Sequence, residues 1–459
     1  MLAAGCGPRA PDVFTLGVAS GDPWPTGVVL WTRLATDPLA GDGRGGMPDR
    51  AVEVGYQIAE DERFTRIVRD GRVRAAPEQG HSVHVEADGL RPGTEYFYRF
   101  RAGDSFSPIG RTRTAPERGS LGELTLCFAS CANYGHGYFT AYRRLAEDEP
   151  ELVLHLGDYV YETANERGDV REVPGPEPRT LAEYRLRHAL YKTDPDLQLA
   201  HATAPWIVVP DDHEVQNDWT ANPVFHQRRV AALQAYYENM PLRARRLYRR
   251  LYWGELATFH MLDTRQYRDD QACRDGIVVG CDERFRPERT MIGAEQERWL
   301  ADGLRQSVAR WDLIGQQVVF AEMDRVEGPA RGYNTDAWDG YVANRERVVS
   351  ALAPVRNAVV LTGDVHRHYA AELAKGVELI TTSISSEGDG DEDPARTQLT
   401  ENPHMKFYKN RRGYVRARIT PSEVRADYRI LPYVRRPGAA AETAASFALP
   451  DRDTQLYRI

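Results

Sequence analysis

The chain has 459 residues, 42% of them hydrophobic and 27% charged, with a formal net charge of -8 and five cysteines. That length exceeds a usual single domain, so two domains are expected, each with a full core typical of soluble globular proteins. The acidic balance excludes a nucleic-acid binder that works through a broad basic surface, and no apolar run reaches the roughly 18 residues of a transmembrane helix.

Leu2-Ala-Ala-Gly-Cys6 is similar to the end of a bacterial lipoprotein signal, in which a cysteine follows small residues and is lipidated. The basic and apolar parts of such a signal are missing. Residues 1–13 are therefore expected to be a residual export signal, tethered to a membrane through Cys6, or a disordered terminus that happens to contain it. Residues 14–115 read as all-β. Strands are expected at Gly27-Val-Val-Leu-Trp-Thr-Arg33, Ala51-Val-Glu-Val-Gly-Tyr-Gln-Ile58, His81-Ser-Val-His-Val-Glu86 and Thr94-Glu-Tyr-Phe-Tyr-Arg-Phe-Arg101. The last alternates cleanly, with Tyr96, Tyr98 and Phe100 on one pleat. Leu90-Arg-Pro-Gly-Thr-Glu-Tyr-Phe-Tyr98 looks like the turn and strand of a fibronectin type III or immunoglobulin-like sandwich. Gly41-Asp-Gly-Arg-Gly-Gly46 satisfies the dinucleotide pattern G-x-G-x-x-G, but it neither follows a convincing strand nor opens a helix. A flexible surface loop is expected there.

Residues 116–435 read as an α/β domain, with a β-sandwich core flanked by helices. Leu124 to Ser130 is a strand, Tyr138 to Glu147 has helical spacing, and Glu151-Leu-Val-Leu-His-Leu156 is a second, buried strand. This βαβ unit places Cys131 and Asp158 at strand carboxyl ends, where catalytic groups of open α/β sheets sit. The grammar recurs. Ala204 to Pro210 ends in Asp211-Asp-His-Glu-Val-Gln-Asn217, Leu256 to Leu262 in Asp263-Thr-Arg-Gln-Tyr267, and Asn357 to Thr362 in Gly363-Asp-Val-His366. Val377 to Ser383 runs into Ile384-Ser-Ser-Glu-Gly-Asp-Gly390. Residues 436–459 are Ala-rich and then polar, and are expected to form a C-terminal tail.

Cys127 lies inside an apolar run and reads as core. Cys273 and Cys281 flank a short Gly-containing loop. They would be disulfide-bonded in an exported protein and free thiols in a cytosolic one.

One strand ending in Asp or His is routine capping, but several converging on one rim describe a site. Carboxylates and amides suit hard cations such as calcium, while imidazole, thiolate and phenolate suit iron. No G-x-S-x-G, H-E-x-x-H or G-x-x-x-x-G-K-[ST] occurs, which weakens serine-hydrolase, zincin and P-loop readings.

Ser130-Cys131, Leu156-Gly-Asp-Tyr-Val-Tyr-Glu162, Asp211-Asp-His-Glu-Val-Gln-Asn217, Asp263-Thr-Arg-Gln-Tyr267 and Leu361-Thr-Gly-Asp-Val-His366 resemble, in order, the motifs of the PhoD-type alkaline phosphatases. Gly17-Val-Ala-Ser-Gly-Asp-Pro23 and Val29-Leu-Trp-Thr-Arg33 resemble the N-terminal domain of that family. The resemblance implies a calcineurin-like metallophosphoesterase core, related to purple acid phosphatases, with one ferric iron and two calcium ions. It implies that Cys131 and Tyr161 ligate iron and that Asp158 bridges iron to calcium. Asp212 takes a metal-ligand position beside His213, which faces the phosphate, and Asp364 and His366 complete the metal sphere. Asn217, Asp211, Asp263 and Arg265 are second-tier candidates for ligation or catalysis, with capping and orienting roles equally open to them. Two departures from the family stand out. Ala132 follows Cys131 where many relatives carry Gln, and Glu387 follows Ser386 where many carry Gly. Glu387 either alters the loop beside the site or merely extends an acidic, solvated run to Asp393, whose spacing does not fit an EF-hand.

The expected activity is phosphate-ester hydrolysis by an exported monomer. Metals would neutralise the ester oxygens and activate the oxygen nucleophile, and His213 would stabilise the transition state or protonate the leaving alkoxide. The substrate is a small or polymeric phosphate ester. A phosphodiesterase acting on phospholipids or teichoic-acid-type polymers is an alternative on the same site. A cell-surface binding protein with a degenerate core is the non-enzymatic one.

Overall fold

The computed structural model describes residues 12–243, 246–394 and 396–459. Cys6 and its expected lipidation lie outside the described residues. Within them, two β-sheets stack face to face. The first has ten strands, in the order Tyr457–Arg458, Glu442–Pro450, Glu423–Leu431, Arg412–Ile419, Leu124–Ala129, Leu152–Leu156, Pro205–Val209, Val18–Trp24, Gly27–Arg33 and Ser82–Ala87. The second has seven, in the order Arg249–Trp253, Ala257–Met261, Trp311–Gln316, Ala358–Thr362, Val377–Ile380, His368–Glu372 and Met405–Lys409.

Successive side chains of a strand point to opposite faces, so each central strand serves two cores. Leu152, Leu154 and Leu156 meet Phe259, Met261, Leu313 and Val359 between the sheets. Val153 turns outward with Cys127, Trp206 and Val208, under the helices Thr140–Glu147, Leu181–Lys192, Pro195–Thr203 and His226–Asn239. On the second sheet, Ile314 and Val360 turn outward against Leu300, Leu304 and Val348 of the helices Gly293–Arg305 and Val342–Ala351. Strands buried on both faces read as continuous apolar runs, which is why they were visible in the sequence.

The N-terminal region adds a five-stranded sheet built from Val52–Ala59, Ile67–Ala75, Glu95–Ala102, Ser105–Phe106 and Gly110–Arg113. Its inward residues Val54, Ile58, Tyr96, Tyr98 and Phe100 pack on Val18, Val28, Leu30, Val83 and Val85. Those partners belong to the ten-stranded sheet, so the two regions share a sheet across the expected boundary at residue 115. The join is a parallel pairing of Ser20 with Pro205 and Gly21 with Trp206. It requires glycine, because a Cβ on Gly21 would lie 2.4 Å from the Pro241 carbonyl oxygen and 2.5 Å from that of Trp206.

Three expectations are corrected or decided. Residues 436–459 are not a tail, since Glu442–Pro450 pairs antiparallel with Glu423–Leu431 and buries Ala445, Phe447 and Leu449. The glycine-rich stretch 41–46 is a turn, with no helix after it. Its Gly43 carbonyl accepts the Arg33 guanidinium at 2.7 Å, and its Gly45 carbonyl takes the backbone N–H groups of Thr36 and Asp37. Cys273 and Cys281 are disulfide-bonded, bracing a ribbon of Ile277–Val279 and Gly332–Asn334.

Candidate metal centre

Parallel strands run in one direction, so their carboxyl ends gather at one rim. Leu124–Ala129, Leu152–Leu156 and Pro205–Val209 deliver Cys131, Asp158 and the run Asp211-Asp-His213. From the facing sheet, Ala257–Met261 and Ala358–Thr362 deliver Arg265, Asp364 and His366. The strand-end loops are knitted together: the Cys131 N–H donates to the Gly157 carbonyl at 3.1 Å and the Ala132 N–H to that of Asp158 at 2.9 Å. Glu214, fully buried, takes the N–H groups of Asp158 at 3.2 Å, Tyr159 at 2.6 Å and Asp211 at 2.8 Å on its carboxylate. Cys131, Asp158, Asp364 and His366 all have positive φ, at 61°, 53°, 62° and 54°. Each such conformation costs about 1–3 kcal/mol in a non-glycine residue and persists where the surroundings impose it. Their concentration on this rim marks a site.

Ligand atoms of Cys131, Asp158 and His366 all lie within 4.8 Å of one another, as do those of Asp158, Asp212 and His213, and those of Asp211, Asp212 and Asp364. Asp158 and Asp212 each belong to two groups, so the three form a chain. The Tyr161 hydroxyl is 3.0 Å from Asp158 Oδ2 and 3.0 Å from His366 Nε2, and it accepts from the Ser386 hydroxyl at 2.8 Å. His213 lies against Tyr161, ring centroids 4.0 Å apart, and its backbone N–H donates to Asp158 Oδ1 at 3.3 Å. Its Nδ1 is 2.6 Å from Glu162, and Nε2 is the other ring nitrogen.

The charge balance of this rim calls for cations. Burial, then the charges of Asp212 and Asp211, push the Asp158 carboxyl well above its usual range; burial and Asp211 do the same for Asp364. Burial followed by the Asp158 charge raises the Cys131 thiol and the Tyr161 phenol. Asp211 is raised to about 6 by burial, against the pull of Arg265. Asp211 Oδ2 and Asp212 Oδ1 are buried without a hydrogen-bond partner. Unpaired buried carboxylate oxygens are costly, and a coordinated cation removes the cost. The donor set of thiol, phenol, imidazole and carboxylate therefore fits metal ions.

Arg265 forms ion pairs with the carboxylates of the rim. It is buried, paired with Asp211 and at 2.9 Å with Asp336, and its Nη2 lies 3.6 Å from Asp212 and 3.9 Å from Asp364. Asn217 lies at the exposed rim, its amide 2.5 Å from Asp218 and its backbone N–H 2.7 Å from Glu162. Asp263 caps its own turn, accepting from Arg265 N, Gln266 N and the Gln266 amide. The sequence reading left Glu162, Glu214, Asp336 and Ser386 without roles. Glu162 stood inside a recognised motif, whereas nothing in the spacing around Asp336 pointed to Arg265.

Residues 126–428 match the model of the PhoD-like phosphatase family, and residues 3–116 match that of the PhoD-like phosphatase N-terminal domain. The chain belongs to the PhoD-like phosphatase family. It is 47% identical to alkaline phosphatase D of Bacillus subtilis, over 97% of this chain and 82% of that one. A solved structure described as PhoD superposes with a TM-score of 0.94 at 45% identity, covering 99% of this chain and 93% of its own. A purple acid phosphatase from yellow lupin seeds superposes with a TM-score of 0.60 at 13% identity, over 95% of this chain and 73% of its own, a likeness of fold alone. The PhoD-like chain is thus a phosphoric ester hydrolase, and its family implies metal ions at this rim.

Proposed function

We propose that this chain is an exported phosphatase that hydrolyses phosphomonoesters, and phosphodiesters at the same centre, with one ferric iron and two calcium ions. The observation that carries the reading is the meeting of Cys131, Asp158 and His366 within 4.8 Å, with the Tyr161 hydroxyl 3.0 Å from two of them. Thiolate, phenolate and imidazole select iron, and the neighbouring carboxylates of Asp158, Asp211, Asp212 and Asp364 suit calcium. Held by Cys131, Asp158, Tyr161, Asp212, Asp364 and His366, such ions would supply Lewis acidity toward the phosphoryl oxygens.

The protein's own groups do the rest. Glu162 lies 2.6 Å from His213 Nδ1 and orients the ring, so that Nε2 is the nitrogen available to protonate the leaving alkoxide. Arg265 keeps Asp211 in place beside Asp336. Export is supported by the Cys273–Cys281 disulfide, since such bonds persist in oxidising compartments.

The test pairs metal analysis of purified protein with assays on p-nitrophenyl phosphate and its bis ester. Iron, calcium and a visible phenolate-to-iron band are expected, with turnover abolished in Asp158→Asn. Near wild-type turnover in a folded Asp158→Asn, or protein that holds neither metal, overturns the reading. The ratio of the two ester rates ranks monoester against diester preference.

A further inference from the structure

The loop after Val377–Ile380 reaches the metal centre twice, through adjacent residues. Ser386 donates its hydroxyl to the Tyr161 oxygen at 2.8 Å. Glu387 places Oε1 3.2 Å from His366 Nδ1, while the other ring nitrogen, Nε2, faces the Tyr161 hydroxyl at 3.0 Å in the Cys131, Asp158 and His366 group. A histidine with one nitrogen on a carboxylate has its tautomer and ring orientation set for the other nitrogen to bind a cation.

Glu387 is itself fixed at three points. Its backbone has φ of 65°, its N–H donates to His136 Nδ1 at 3.1 Å, and its Oε2 lies 3.3 Å from the Arg367 guanidinium. The rest of the acidic run from Gly388 to Asp393 is engaged elsewhere: Asp389 accepts from Val434 N and Arg435 N, and Glu392 pairs with Lys409 and Arg411. Glu387 therefore differs from its acidic neighbours in being turned to the centre.

We propose that Glu387 is a positioning residue for the metal centre, which holds His366 so that Nε2 stays directed at the ion shared with Cys131, Asp158 and Tyr161. The inference rests on the metal reading above. Loss of such a carboxylate behind a ligating histidine lowers metal affinity about 10- to 100-fold.

Glu387→Gly is the variant of choice, because glycine adopts a positive φ without strain and its fold is expected to survive. Glu387→Gln, which keeps an acceptor oxygen, and Glu392→Gln, which leaves His366 untouched, complete the set. Each holoenzyme is dialysed against a chelator for increasing times, its iron is measured by mass spectrometry, and its visible spectrum is recorded. Glu387→Gly is expected to lose iron 10- to 100-fold more readily and to shift the visible band, with Glu387→Gln intermediate and Glu392→Gln like wild type. Wild-type retention and an unchanged band in Glu387→Gly overturn the proposal. Absence of iron from wild type itself fails the metal reading instead, so the two failures are distinct.

Discussion

His213 has two ring nitrogens, and the fold commits one of them. Glu162 takes Nδ1 at 2.6 Å and is anchored in turn by the Asn217 N–H at 2.7 Å. Glu162→Gln removes the anion that helps keep the imidazolium charged. The variant is expected to lose turnover by about 10²-fold and to lose its remaining activity at lower pH, since an imidazolium deprived of its anionic partner is a stronger acid and releases its proton sooner. A kcat–pH profile tests this, and a profile superposable on wild type counts against it. Gly157 is a second pressure point. Its φ is 102°, and a Cβ there would come 2.3 Å from the Asp211 Cβ. Gly157→Ala is expected to separate Asp158 from Asp211, costing about 1–3 kcal/mol of stability and bound metal together, as read by thermal unfolding with metal analysis. At this scale the sequence was informative wherever a motif ended a strand, as at Cys131, Asp158, Asp212, Asp364 and His366. It was silent on Asp336 behind Arg265, and although Glu387 stood out as a departure beside the site, its partner His366 was not legible, because spacing along the chain carries no record of such crossings.

Between the first sheet and its helices lies a layer of buried histidines. His155 stacks on Trp206 with its Nε2 2.8 Å from the Tyr142 hydroxyl, His201 stacks on Trp206 and meets the Tyr159 hydroxyl at 2.8 Å, and both nitrogens of His188 lack a hydrogen-bond partner among the described residues. Burial lowers His155 to about 3 and pushes His188 and His201 well down. The folded state then binds fewer protons than the unfolded chain below pH 6.5. Stability is therefore complete above that pH and is lost as pH falls through it toward the folded values, by up to about 1.4 kcal/mol per pH unit for each histidine. Because the raised carboxyls of the rim act in the opposite sense, the test is a comparison: urea unfolding of metal-stripped protein between pH 7 and pH 5 is expected to be less acid-sensitive in His188→Leu than in wild type, and an identical pH response in the two refutes it. These polar residues also explain which elements the sequence hid. Leu181–Lys192 buries Arg185, Arg187, His188 and Lys192 alongside Tyr184 and Leu190, which blurs helical periodicity. Ile67–Ala75 is an edge strand studded with exposed charge, and Glu442–Pro450 hides its period of two among alanines. The central strands, short and apolar on both faces, needed no such decoding.

On the scale of the molecule, the shared sheet makes the N-terminal region part of the enzyme's frame. Removing residues 1–115 would strip three strands from the ten-stranded sheet and leave Pro205–Val209 as an exposed, apolar edge beside the metal rim. Such edges recruit other chains. The truncated protein is expected to be insoluble on expression, and a soluble, folded, metal-binding fragment would refute the dependence.

The same strand order sets a timetable for synthesis. Ser20 pairs with Pro205, and Phe128 pairs with Val415, so the sheet is assembled from the first and last parts of the described chain. At about 5–20 residues per second, Val18–Trp24 waits roughly ten seconds or more on the ribosome for its parallel partner. Leu124–Ala129 meets its parallel partner Leu152–Leu156 early but waits longer still for its antiparallel partner Arg412–Ile419. The ten-stranded sheet is therefore complete only after translation is nearly finished, and the apolar edge of Leu124–Ala129 stays open until then.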